Sequence, residues 1–240
     1  MTFSVTAITL TPEAWPGVLS VSVVGNALRA GIWKLSTVDI RDFGVTRHRN
    51  VDGPPSGGGA GMVLRPDVSA QAIDSVVSGS AGGDSVDRDG RPLIYLTPRG
   101  ARLTQEKVRE LASGPGLVAF CGRFEGLDQR VVESRRMEEI SLGDFVLAGG
   151  DVAAQALVEA CVRLLPEVLG NPESHETESF ETGLLEHPLY TKPRAFEGRG
   201  IPDVLLSGDH GAIVKWRQQQ SERITRERRP DLWEVARKGD

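Results

Sequence analysis

The chain opens with FSVTAITL, in which apolar and polar positions alternate before Thr11 and Pro12, and EAWPGVLSVSVVGNAL follows. The alternation predicts a strand, and the later spacing predicts a helix after a turn. PLIYLTPRG reads as a second, buried strand that ends in Thr97, Pro98 and Gly100. In TQEKVRELASGPG, Thr104 stands at an N-cap position, Glu106 falls in the first turn, Val108 and Leu111 share a face, and Gly114 is a stop. Four apolar residues, Leu117 to Phe120, then form another buried strand, which empties at once into CGRFEGLDQRV, where Gly122 and Gly126 bracket Arg123, Phe124 and Glu125. Strand, helix and strand in this order predict parallel pairing through a helical crossover, so the fold class is α/β.

The theme returns in EEISLGDFVLAGGDVAAQALVEACVRLLP. Ile140 to Leu147 is strand-like but interrupted by Gly143, and AGGD delivers Asp151 as the N-cap of a helix that runs to Leu165 and is stopped by Pro166. The polar residues of that helix, Gln155, Glu159 and Arg163, fall at i, i+4 and i+8 and form one stripe on an otherwise apolar cylinder. A helix of that kind is expected deep, at a subunit or domain contact.

Between these elements the pattern lapses. From about Asp42, through RHRNVDGPPSGGGAGM, five glycines and two prolines in residues 53 to 61 leave no room for regular structure and free backbone amides for close approach. SVVSGSAGGDSVDRDGR, from Ser75 to Arg91, reads as a polar insertion, and GNPESHETESFETG, residues 170–183, as an acidic linker without periodicity. The division expected is a domain over 1–169, this linker, and a small helical domain over 184–240.

Composition changes the picture in two places. Only Cys121 and Cys161 are present, with no metal-ligand spacing around them, so both read as small buried hydrophobes and no metal residue is assigned. No run of 18 apolar residues exists and the N-terminus lacks the pattern of a signal peptide, which makes a cytoplasmic protein without membrane contact the expectation. The formal net charge is −5, yet AIVKWRQQQSERITRERR, from Ala212 to Arg229, sets six basic residues against two acidic ones, +4, and leaves −9 for the rest. A basic helix on an acidic body is the footprint of a local polyanion contact.

Three strand ends, LTPRG, CGRFEG and SLGDFVLAGG, are each rich in glycine, and ligands of open α/β sheets bind outside the carboxyl ends of strands. The three could converge on one pocket. The Gly-x-Gly at Gly114 precedes its strand and no GxxxxGK[ST] exists, so neither dinucleotide nor P-loop binding is supported.

Taken in order, RDF, RHRNVDG, GGGAGM, IYLTPRG, CGRFEGLDQRV, SLGDFVLAGGD, RLLPEVLGN, ESFETGLLEHPLYTKP and VLLSGDHGAIVKWR resemble the bacterial tRNA (guanine-N1)-methyltransferase family, TrmD, of the SPOUT class, over almost the full length. The resemblance implies a parallel sheet whose chain threads a deep trefoil knot, one of the exceptions to unknotted topology. It implies bent S-adenosylmethionine among Leu96, Thr97, Pro98, Gly100, Gly122, Phe124, Glu125, Gly126, Leu142, Gly143, Asp144, Phe145, Val146, Leu147, Gly149 and Gly150. Gly122 and Gly126 would let the backbone approach the cofactor, and Glu125 would meet its polar and cationic parts.

The same resemblance implies methyl transfer to N1 of the guanine at position 37 of tRNA, in a homodimer with composite active sites, with Mg²⁺ as a possible assistant. N1 carries a proton that must leave as the methyl arrives. The base expected is Glu178, where the family has aspartate before serine, and the arginine that stabilises charge on O6 is Arg163. Glutamate adds one methylene of reach, and Glu176, Glu181 and Asp203 remain competitors. In the loop after Asp52, Gly53 and Ser56 stand where the family commonly has aspartate and tyrosine, so the loop's backbone role survives while its side-chain contacts do not follow. The rivals are a SPOUT enzyme that methylates a ribose or another base, and a non-catalytic RNA-binding module working through the basic helix.

Overall fold

The computed structural model describes residues 2–77, 90–170 and 178–238; most of the polar insertion and of the acidic linker, Glu176 included, lies outside the described residues. The chain divides into two compact units, Met1–Gly170 and Asn171–Asp240.

In the first unit the alternating N-terminal segment forms β1, Phe3–Thr9. The helix expected next begins late. Pro16 and the glycine after it restrict the chain to two short 3-10 turns, Pro12–Ala14 and Gly17–Ser20, before α1, Ser22–Arg29. The strand β2, Trp33–Asp39, half exposed, was not marked by a clean alternation. The glycine-rich loop is framed by a two-residue ladder, β3 Asp52–Gly53 with β4 Val63–Leu64, and is followed by α2, Pro66–Val76.

Then come β5 Leu93–Arg102, α3 Gln105–Ala112, β6 Gly116–Phe120, α4 Gln129–Ser134, β7 Glu138–Ser141 and α5 Gly150–Val162. Thr104 caps α3 as expected, its side chain accepting from the Lys107 N–H at 3.3 Å. The third strand is shorter than expected: after Ser141 the chain leaves the sheet, and Leu142 to Leu147 form a loop.

The five strands β1, β2, β5, β6 and β7 make one sheet in the order β2-β1-β6-β5-β7, parallel at every pairing. Alternation along the strands sends side chains to two cores. Ile94, Leu96, Leu117, Ala119 and Cys121 pack with α1, α3 and α5, whereas Leu93, Tyr95, Val118 and Phe120 pack with α2 and α4. This two-sided burial explains why GLVAF is apolar throughout: every one of its residues is buried.

The second unit holds a short hairpin, β8 Ala195–Phe196 with β9 Arg199–Gly200, a 3-10 turn, and two helices, α6 His210–Arg228 and α7 Pro230–Ala236. Asp209 caps α6 by accepting from the Ala212 N–H at 3.0 Å. No helix of the described residues is long and apolar enough to cross a membrane.

Candidate functional site

The pairing of β5 with β7 contains the first element of the site. Leu96 and Ala101 both pair with Ile140, so the four residues between them bulge out of the sheet. That excursion carries Thr97, Pro98 and Arg99 toward the loop after β6 and the loop after β7. A cleft of about 290 Å³ opens among the three, at the carboxyl ends of adjacent parallel strands.

Of the sixteen residues expected to hold a cofactor, the cleft is lined by Leu96, Thr97, Pro98, Gly122, Phe124, Glu125, Gly126, Leu142, Gly143, Phe145, Val146, Leu147, Gly149 and Gly150. Two do not line it. Gly100 sits where the bulge returns to the sheet, and a Cβ there would collide with the Glu139 and Ile140 backbone, so its glycine serves the strand pairing. Asp144 turns outward, 89% exposed, and pairs with Arg102 at 2.9 Å. Tyr95, Arg99, Arg123 and Ser141 line the cleft without having been singled out. Tyr95 sits inside an apolar strand and Arg123 between two glycines, so neither stood out from its neighbours.

Tyr95 changes the account of the glycines. A Cβ on Gly122 would lie 2.9 Å from the Tyr95 ring, and one on Gly126 would lie 2.7 Å from its hydroxyl. Both glycines are therefore required by a packed aromatic residue as well as by any ligand. The Tyr95 hydroxyl accepts from the Leu127 N–H at 3.0 Å, and burial pushes its pKa up, so it stays a neutral strut beneath the cleft. Phe124 has a left-handed backbone, φ 60°, and stands half exposed at the mouth. Behind it the glycine-rich loop docks through main-chain bonds, Glu125 N–H to Met62 O and Leu64 N–H to Gly126 O, both 2.9 Å.

The loop after β7 turns on Ser141, whose hydroxyl accepts from the Gly143 N–H at 3.2 Å. It then presents Phe145, Val146 and Leu147, which are 54%, 82% and 40% exposed, an apolar rim with little of its own chain to cover it. Asp151 is not the N-cap of α5; Gly149 is. Asp151 lies in the first turn, nearly inaccessible, and its carboxylate accepts from Thr9, Thr11, Trp15 and Arg123.

Both cysteines are buried. Burial pushes the Cys161 thiol up to about 12, and Cys121, fully enclosed beside Asp151, is raised well above its ordinary value. Among the described residues no group of three His, Cys, Asp or Glu side chains could hold a metal ion.

The outward stripe of α5 also differs from expectation. Gln155 is buried and donates to Ala14 O at 3.0 Å, while the exposed positions are Val152, Ala156 and Glu159, with Arg163 half-buried one turn beyond. The apolar members of that stripe are the surprise: Val152 is 63% exposed.

Glu178, in the second unit, stands on a built turn. Its carbonyl accepts from Glu181 N–H at 3.3 Å, Phe180 N–H donates to Leu184 O at 2.8 Å, and Ser179 Oγ accepts from Glu186 N–H at 2.9 Å. Leu185 N–H donates at 2.8 Å to Thr225 Oγ1, a wholly buried hydroxyl of α6. The end of the expected linker is thus tied to the helical unit.

A family model described as tRNA (Guanine-1)-methyltransferase TrmD matches residues 1–235. Proteins named tRNA (guanine-N(1)-)-methyltransferase from Brucella ovis and from Brucella melitensis biotype 1 are each 60% identical over 233 residues, 97% of this chain and 92% of theirs. One from Brucella abortus is 60% identical over 97% of this chain and 91% of its own. The chain belongs to the tRNA (guanine-N1)-methyltransferase family.

Proposed function

We propose that the chain is a tRNA (guanine-N1)-methyltransferase that binds S-adenosylmethionine in the strand-end cleft and methylates N1 of the guanine at position 37. Family membership supports the reaction, and one observation carries the cofactor: the bulge of β5 and the loops after β6 and β7 line a single cleft at the carboxyl ends of parallel strands. The cleft suits the ligand. Its volume is near the lower end of small-molecule sites, about 300 Å³, its walls combine Leu96, Leu142 and Leu147 with glycine backbone, and Glu125 supplies a negative charge for a cationic group. When bound, the cofactor supplies a methyl group activated by its sulfonium.

The chain's own residues then have two tasks at the guanine. Glu178 accepts the N1 proton, which makes N1 a nucleophile, and Arg163 stabilises the negative charge that develops on O6. Glu181 and Asp203 remain the rival acids among the described residues. The reading includes the knotted threading of the family and a homodimer in which Glu178 of one protomer serves the cleft of its partner. The exposed Val152 and Ala156 on α5 and the apolar rim at Val146 support a surface shared between protomers, because a lone protomer gains nothing by exposing them. The basic face of α6 is the part that meets tRNA phosphates.

The test is methyl transfer to tRNA transcripts that carry or lack guanine at position 37. Transfer confined to the guanine transcripts is expected. Transfer that ignores the base would favour ribose methylation, and binding without transfer would favour a silent RNA-binding module.

A further inference from the structure

We propose that Asp151 is a positioning residue for the cleft: its carboxylate holds the Arg123 guanidinium across Gly149 and so fixes the loop after β6 against the start of α5. The inference rests on the cleft being the cofactor site.

The two carboxylate oxygens have different partners. Oδ1 accepts from Thr9 Oγ1 at 2.6 Å and from Trp15 Nε1 at 3.0 Å. Oδ2 accepts from Thr11 Oγ1 at 3.1 Å and from Arg123 Nη2 at 3.2 Å. A carboxylate that is 4% exposed persists only when it is paired and hydrogen-bonded, and this one is. The Oδ1 side ties α5 to the end of β1 and the turn after it, whereas the Oδ2 side reaches the loop that lines the cleft.

Arg123 is held for a purpose its own neighbourhood does not otherwise explain. Its side chain crosses Gly149 so closely that a Cβ there would lie 2.6 Å from Arg123 Cδ and Nε. Nη2 donates to both Thr11 and Asp151, yet Nε is buried with no hydrogen-bond partner. The guanidinium is therefore kept in place by what Nη2 touches. Beside it, Arg123 and Gly149 form an antiparallel bridge, and Gly150 N–H donates to Gly122 O at 2.8 Å. Gly122, Phe124, Gly149 and Gly150 all line the cleft, so the ion pair joins two adjacent lining segments. Without the negative charge at Oδ2, the half-buried Arg123 guanidinium loses its counter-charge and is free to turn toward solvent, and the loop that carries Gly122 and Phe124 moves with it.

Asp151→Asn separates the two sides. An amide oxygen at the Oδ1 position still accepts from Thr9 and Trp15, while an NH₂ at Oδ2 points a donor at the donors of Arg123. The expected result is a loss of about ten- to a hundredfold in kcat/KM, the scale of a misplaced binding group, seated in KM for S-adenosylmethionine with KM for tRNA unchanged. Thr9→Val breaks the Oδ1 side instead, and should lower the melting temperature while leaving KM for the cofactor as it was. Adding Arg123→Ala to Asp151→Asn should cost little more than either alone, since the clamp is already open. If Asp151→Asn fails to fold, Arg123→Gln leaves Asp151 three donors and gives the same readout.

A KM for the cofactor within twofold of wild type in Asp151→Asn, or in Arg123→Gln, overturns the inference, and so does a Thr9→Val variant that raises that KM as much as Asp151→Asn does. A wild type that binds no S-adenosylmethionine by calorimetry sinks the cofactor reading and this inference together. A wild type that binds, beside an Asp151→Asn that binds equally, sinks this inference alone.

Discussion

Between Met1 and Gly170 the chain buries side chains on both faces of a five-stranded sheet; among the described residues of the second unit only Leu184 and Thr225 are buried. The first unit is held by its core, and its cleft is preformed by packing: a β-bulge, a buried tyrosine and a buried carboxylate paired with Arg123 set the walls. The second has little core and relies on surface bonds and a few longer contacts such as Leu185 N–H to Thr225 Oγ1. In α6 a cap at Asp209, Gln218 to Glu222 at 2.8 Å and Arg223 to Glu227 at 3.4 Å add local support to the helix, about 0.2–0.5 kcal/mol for each side-chain pair. The difference teaches a division of labour. A small cofactor needs a rigid concave site, whereas a long polyanion needs an exposed, charged surface that is ordered cheaply and covered only when the partner arrives.

The largest expected effect separates the chemistry proposed for the second unit from the cofactor binding proposed for the first. Glu178→Gln should reduce the single-turnover rate of methyl transfer by roughly 10² to 10⁴, the usual contribution of a positioned base, because an amide cannot take the N1 proton. Cofactor affinity, measured by calorimetry, should not change. Glu178→Asp should keep appreciable activity, since it restores the residue type seen in the family with a shorter reach. A full rate in Glu178→Gln would remove it as the base and pass the role to Glu181 or Asp203 for the same measurement.

The two regions also differed in how much of them the sequence disclosed. Periodicity found β1, β5, β6, α3 and α5, because strands buried on both faces and a capped amphipathic helix leave strong patterns. It passed over β2 and α2 and overextended β7 through Leu147, since an apolar cleft rim and a buried strand look alike one residue at a time. The glycine-rich strand ends pointed to three converging segments, and the resemblance to the family named sixteen residues, fourteen of which line the cleft, yet Gly100 shows that a glycine can serve backbone packing alone. Tyr95, Arg123 and the buried carboxylate of Asp151 were invisible for another reason: their roles depend on contacts with residues distant in sequence, such as Thr9 and Thr11 with Asp151. Nothing local encodes that.

A second prediction compares the units by stability. Leu157, fully buried in α5, packs in the core of the first unit, and Leu157→Ala should cost about 2–5 kcal/mol. Thr225→Val removes the acceptor of Leu185 N–H and should cost about 1–3 kcal/mol by leaving that donor unsatisfied. The first variant should lower the main calorimetric transition. The second should act on hydrogen-exchange protection in α6 while the amides of β5 and β6 keep theirs. Equal loss of protection in both units would break the comparison, because it would mean that one cooperative structure spans the chain.

The smallest effect concerns which charges of the basic helix reach the nucleic acid. Arg226 is exposed on α6, and its loss should lower the slope of log K against log salt for tRNA binding by up to about one unit, the share of one phosphate contact. Arg229 looks equivalent in sequence but is engaged: its guanidinium grips Asp231 at 2.6 and 2.8 Å, at the start of α7. That grip holds the Asp231 carboxyl down at about 2, so at neutral pH the pair is fully ionised and its charges largely cancel. Arg229→Ala should therefore change the slope less than Arg226→Ala does, and Asp231→Asn should raise the slope by releasing Arg229 to the phosphates. Equal slopes for Arg226→Ala and Arg229→Ala would show that tRNA opens the Arg229–Asp231 pair on binding, and the second unit would then be remodelled by its partner where the cleft of the first is not.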